Sequence, residues 1–199
     1  METSASFALR SAASRLVNLP VFASAQPVAP ASLRAYAFTF VFRGAVVMAA
    51  ALANYALEHA GFAAPWLPWM VLMPLAAVVL AVRGRRQQRL GLMGTTPTDR
   101  RMRLVQKSFV FTLLFAIACA TQIGWQNAHP IILVLYGVGT VAAGRLLRFR
   151  PLVMGGIAGG LLGAVAAAVP ADTQLLLIAA AMLVSYIVPG VLLHKRSHE

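Results

Sequence analysis

Apolar residues in this chain gather into six long stretches, at about residues 36–57, 66–82, 108–125, 130–147, 152–169 and 173–193, separated by shorter polar or basic links. None alternates in the way a half-buried strand does. Each is ~17 to 23 residues long, close to the ~20 that a helix needs to cross a hydrocarbon core about 30 Å thick. An unpaired backbone amide finds no partner in hydrocarbon, so each stretch is expected to be a helix rather than a barrel strand. The pattern predicts an all-α, multi-pass bundle of six transmembrane helices.

The polar positions punctuate this pattern. Trp66 and Trp69 mark an interface, Pro68 sits in an opening turn and Pro74 should kink the second span. Pro130 and Pro151 are expected as first-turn prolines of spans four and five, and Pro189-Gly190, following Tyr186, should bend the end of span six. The longest link, residues 83–107, contains the turn-prone Gly94, Pro97 and Asp99 and is expected to be a basic extramembrane loop. Residues 1–34 are rich in Ala, Ser and Pro and carry Arg10, Arg15 and Arg34 against a single acid, Glu2. They suggest a flexible or surface-lying tail, with an organellar transit peptide as the alternative; Asn18 and Pro20 interrupt any apolar core of a cleaved secretory signal. Residues 195–199 form a short C-terminal tail.

Composition agrees with the pattern: 60% of the residues are apolar and 11% charged, whereas a soluble domain is nearer half apolar and a quarter charged. The net charge of +12 does not point to nucleic acid, because the basic residues flank apolar spans instead of lining a soluble face. They set orientation. All 17 Lys and Arg fall in the tail and first span, in 83–107, in the link after span four (Arg145, Arg148, Arg150), or at the C-terminus (Lys195, Arg196). The three opposite links hold none, so positive-inside topology places both ends and the basic links in the cytoplasm. Contact of the 83–107 segment with anionic headgroups is expected from the same charges. Cys119, the single cysteine, lies inside span three and excludes an intrachain disulfide.

Three groups of residues are candidates for more than topology. Gly155, Gly156, Gly159, Gly160 and Gly163 form two interleaved small-xxx-small series, a glycine zipper that lets helix backbones approach closely. Span four, with Gly137, Gly139 and Gly144, is the expected partner, and a homo-oligomer through span five is the alternative. Arg43 is the basic residue that lies well inside a span. Either the span starts near Phe42 or the side chain snorkels, or it makes an interior anion or headgroup contact. At the opposite end, Glu58, His59, Gln122, Gln126 and His129, with Asn54, Asn127 and Asp172 nearby, form a polar cluster. These are either ordinary interfacial residues or a convergent metal or proton site, though without metal-ligand spacing such as HExxH.

No phosphate loop, nucleophile elbow or paired intramembrane carboxylates are present, so no catalytic residue, metal or cofactor is expected. His129-Pro130, Leu135-Tyr136-Gly137, Gly144-Arg145, Phe149-Arg150-Pro151-Leu152, Gly155-Gly156, Tyr186 and Pro189-Gly190 resemble a family of small uncharacterised bacterial six-helix inner-membrane proteins with no known activity. The resemblance covers roughly the last 70 residues and implies a bacterial inner membrane over an organellar one. The leading expectation is a non-enzymatic interaction, scaffold or sensing component. A small-solute transporter or channel is the first alternative, and a lipid-active enzyme using Glu58, His59 and His129 the second.

Overall fold

The structure, a computed structural model, describes residues 30–91 and 96–197. Among these residues the chain is all-helical: α1 Pro30–His59, α2 Leu67–Arg89, α3 Pro97–Ile123, α4 Trp125–Leu146, α5 Arg150–Ala166 and α6 Ala171–Arg196. Five of the six are long and apolar enough to cross a membrane. The exception, α5, has 17 residues, a length of about 25 Å at ~1.5 Å per residue, at the lower limit for a span. The expected span 152–169 ends early, at Ala166, because the chain unwinds ahead of Pro170, whose ring disfavours helical geometry in the residue before it. Of the expected tail, residues 1–29 lie outside the described residues, and α1 already begins at Pro30.

The basic segment 83–107 is mostly helix, not loop. α2 continues to Arg89, and α3 begins at Pro97. Apolar periodicity marks where hydrocarbon ends, not where a helix ends, and Arg and Gln are good helix formers. The start of α3 is fixed by a capping box: Thr96 Oγ1 accepts from the Asp99 amide at 3.1 Å, and the Asp99 carboxylate accepts from the Thr96 amide at 3.4 Å. A second correction concerns Pro130. Gly124, at φ 80°, separates α3 from α4, so α4 starts at Trp125 and Pro130 lies inside the helix, beyond its first turn.

α1, α4, α5 and α6 form the core of the bundle. Glycines set the approach distances, because a Cβ on Gly137 would lie 2.7 Å from the Gly156 carbonyl oxygen, and one on Gly144 would lie 2.8 Å from the Val153 nitrogen. The α5 glycines divide between two neighbours. Gly156 and Gly163 face α4, while Gly155 and Gly159 face Ser185 of α6, whose hydroxyl donates to the Gly155 carbonyl at 2.7 Å. Pro189 is accommodated by a π-helical turn, Leu183–Ile187, immediately before it, and α6 then continues to Arg196 instead of breaking. α2 packs on α1, and α3 packs mainly on α4; neither is enclosed.

The six basic helix ends meet at one end of the bundle. Tyr36 of α1 donates to Asp99 of α3 at 2.7 Å, Arg83 of α2 lies 3.8 Å over the Phe38 ring of α1, and Arg196 of α6 lies over Phe149 at the α4–α5 turn. Gly190, in the last turns of α6, meets Phe40 and Val41 of α1. At the other end, Asn54 of α1 faces the Pro65 carbonyl (2.8 Å) and Trp69 Nε1 (3.1 Å) at the start of α2 when its amide is oriented to satisfy both. The chain is thus an up-and-down bundle with one basic end and one polar end that carries Glu58 and Asp172.

Candidate functional site

Arg43 lies inside α1, which is continuous around it, roughly 13 Å along the axis from Arg34 at ~1.5 Å per residue. The helix therefore does not start at Phe42. Gly44 beside it lets α1 approach α6 so closely that a Cβ there would be 2.6 Å from Tyr186 Cβ, which brings Arg43 against the π-helical turn. Its guanidinium carbon sits 5.6 Å from the centroid of the Phe109 ring of α3, and its charge lies beside the hydroxyls of Tyr136 and Tyr186. The aromatic rings form a continuous set. Phe109 meets Tyr136 edge-on at 5.0 Å, Tyr136 meets Tyr186 at 5.6 Å, and Tyr186 meets Phe40 at 5.6 Å.

A cavity of ≈ 20 Å³ opens beside the guanidinium, lined by Thr39, Gln106, Phe109 and Tyr186 among others. A water needs ~10–15 Å³ on this measure, so there is room for about one water or a small ion. A charge at the centre of a bilayer costs ~2.5–3.5 kcal/mol, of which a cation–π contact recovers ~0.5–2. The phenolic hydroxyls and Gln106 supply dipoles to offset the remainder.

The polar end is arranged differently from what its composition suggests. Glu58 and His59 are exposed, and His59 Nδ1 is turned back to the Tyr55 carbonyl of its own helix at 2.9 Å. Gln122, Gln126 and Asn127 are exposed as well, Asn127 bonding the Ile123 carbonyl at 2.8 Å. His129 is half-buried, near enough to Glu58 to feel its charge. Its Nδ1 lies 3.2 Å from Gln174 Oε1; an amide oxygen only accepts, so Nδ1 carries the hydrogen and Nε2 is left as the acceptor. Among the described residues no three His, Cys, Asp or Glu side chains converge as a metal-binding group.

The chain matches no protein-family model, no curated protein and no solved structure.

The residue that organises the polar end is Gln174, which is 1% exposed. Its Nε2 faces three carbonyls: Gln126 at 3.0 Å, Ala166 at 3.0 Å and Val169 at 3.1 Å. The Gln126 carbonyl lacks its usual helical donor, and the Ala166 carbonyl is otherwise met only by the Val169 amide, at 3.4 Å. Pro130 has no N–H to return to Gln126, four residues earlier, and Ala166 and Val169 lie where α5 runs out. One side chain of α6 thus ties the polar ends of α4 and α5. Sequence reasoning overlooked it; the available signals were a lone Gln just inside an apolar span and a proline that frees a carbonyl elsewhere.

Proposed function

We propose that this chain is a non-enzymatic membrane protein that crosses a bacterial inner membrane six times, basic ends toward the cytoplasm, and acts as an interaction or scaffold component. The core of α1, α4, α5 and α6 is the fixed frame. α2 and α3 present apolar faces to a helix of another membrane protein. The observation that carries this reading is an asymmetry of burial: 6% of the most apolar stretch of α2 and of α3 is buried, against 44–50% for α1, α4 and α6. Large side chains such as Met70, Val78, Phe111 and Phe115 point outward along those two helices. Lipid covers such faces in any membrane protein, so the test must separate lipid from protein. Proteins retained in mild detergent are compared for the wild type, for a Phe111→Ala/Phe115→Ala variant and for an Ile157→Ala/Leu161→Ala control on α5. Loss of the same partner from the α3 variant alone is the expected result; identical retention by all three overturns the reading.

Arg43 supports a second reading, an anion-conducting path in which the guanidinium, Tyr186 and the π-helical turn form the selective point. The cavity of ≈ 20 Å³ is a point in the interior and not a channel, so conduction needs a more open state. Anion flux into proteoliposomes that disappears on Arg43→Ala supports it, and flux equal to that of empty vesicles removes it.

A further inference from the structure

At the basic end, the α4–α5 turn forms a cleft of ≈ 360 Å³ whose lining includes Arg145, Arg148, Phe149, Arg150, Val153 and Met154. Among the described residues no acidic residue lines it. Arg196 approaches the same place, its Nη1 lying 3.4 Å from the Arg148 carbonyl oxygen and its guanidinium 5.7 Å from the Phe149 centroid. Four arginines therefore border one turn, with no described carboxylate in the lining, an arrangement that a bound anion relieves.

The backbone adds to the case. Arg148 has φ 49°, the left-handed region that glycine prefers, where it ends α4: the Phe149 amide donates to the Gly144 carbonyl at 2.9 Å and the Arg148 amide to Arg145 at 3.1 Å. Glycine would make this turn without strain, yet the position carries a long cation aimed at the cleft region. The apolar side of the cleft does not stop at the turn. Met154 is 70% exposed, and Ile157 and Leu161 continue the same outward stripe along α5, both more than half exposed. Polar headroom and an apolar track lie end to end.

We infer that this cleft binds the phosphate of an anionic glycerophospholipid, with the arginines on the headgroup and an acyl chain along Met154, Ile157 and Leu161. Basic pockets at the charged end of membrane helices suit such headgroups, and the guanidinium fork suits a phosphate. The inference rests on the membrane reading above. It is a site distinct from the general attraction expected of the 83–107 segment, where Asp99 is present and Arg83 is already stacked on Phe38.

The full chain, purified in detergent and stripped of lipid, is mixed with dioleoyl phosphatidylglycerol or dioleoyl phosphatidylcholine, and the lipid retained is measured by native mass spectrometry. Phosphatidylglycerol should be retained preferentially, and each arginine removed from the cleft should weaken retention about fivefold. Arg148→Gly separates binding from folding: it should raise the unfolding temperature by relieving the turn while lowering phosphatidylglycerol retention. Arg85→Ala/Arg86→Ala, on α2, should lower retention less than the loss of a single cleft arginine, since it removes only the general attraction. Equal retention of the two lipids, or undiminished retention by Arg148→Gly, overturns the proposal. So does complete displacement by millimolar inorganic phosphate, which would make the ligand a free anion. None of these outcomes bears on whether the chain crosses a membrane.

Discussion

The two halves of this bundle hold their helices by different means. Where α4, α5 and α6 meet, backbones touch through glycine, Ser185 bonds directly to the Gly155 carbonyl, and Gln174 gathers carbonyls of α4, of α5 and of the turn after α5. α2 and α3 instead rest on the core through individual side chains, among them Phe109 in the middle of α3, which meets Tyr136 edge-on at 5.0 Å. Asn54 meets Trp69, Arg83 covers Phe38, and Asp99 receives the Tyr36 hydroxyl. In a solvent as apolar as leucine, helices associate through close contact and hydrogen bonds, not through exclusion of water. The glycine-rich helices have both along their length; α2 and α3 make fewer close contacts, and the most apolar stretch of each stays largely exposed.

Substitutions should sort by which half they touch. The largest effect is expected in the glycine contact: Gly156→Ala places a Cβ 2.8 Å from the Gly137 carbonyl oxygen. Such overpacking against backbone should cost about 3 kcal/mol, seen as a fall in unfolding temperature in mild detergent. Gln174→Leu should follow, at about 2 kcal/mol, because it takes the side-chain donor from the Gln126, Ala166 and Val169 carbonyls, the first of which has no helical N–H to replace it. Restoring an N–H to Gln126 by Pro130→Ala should make the Gln174→Leu loss smaller by about 0.5 kcal/mol or more, a coupling that a double-mutant cycle reads directly. Tyr36→Phe, which removes the bond to Asp99, should cost about 1.5 kcal/mol and loosen the start of α3. Phe115→Ala, on the outward face of α3, should change stability by less than about 0.5 kcal/mol. If the outward substitutions destabilise as much as the glycine ones, the contrast between the halves is false.

The number and order of helices was legible because hydrocarbon-length apolar runs have few other uses. Their ends were not. The basic segment was expected as loop because charge marks the departure from an apolar stretch, while Thr96 and Asp99, which start α3 by capping, stood unrecognised among turn-prone residues. Arg43 was visible as an anomaly of depth, but the rings around it come from three other helices and have no spacing to find. Of the polar cluster, His129 and the Gln126 carbonyl meet Gln174 while Glu58, His59 and Gln122 are exposed, and Gln174, which binds that end together, sits behind them. Its role depends on a proline 44 residues earlier in the chain, a relation that exists only once the helices are side by side.

The six-crossing reading requires the basic helix ends to lie together on one face of a membrane. In a Cys119→Ala background, single cysteines at Leu90, Phe62 and Ala168, all exposed at helix ends, can be labelled with a membrane-impermeant thiol reagent in intact cells. Phe62→Cys and Ala168→Cys should react at once, and Leu90→Cys only after the membrane is opened. Labelling of Leu90→Cys from the same side as the other two would contradict the six-crossing arrangement.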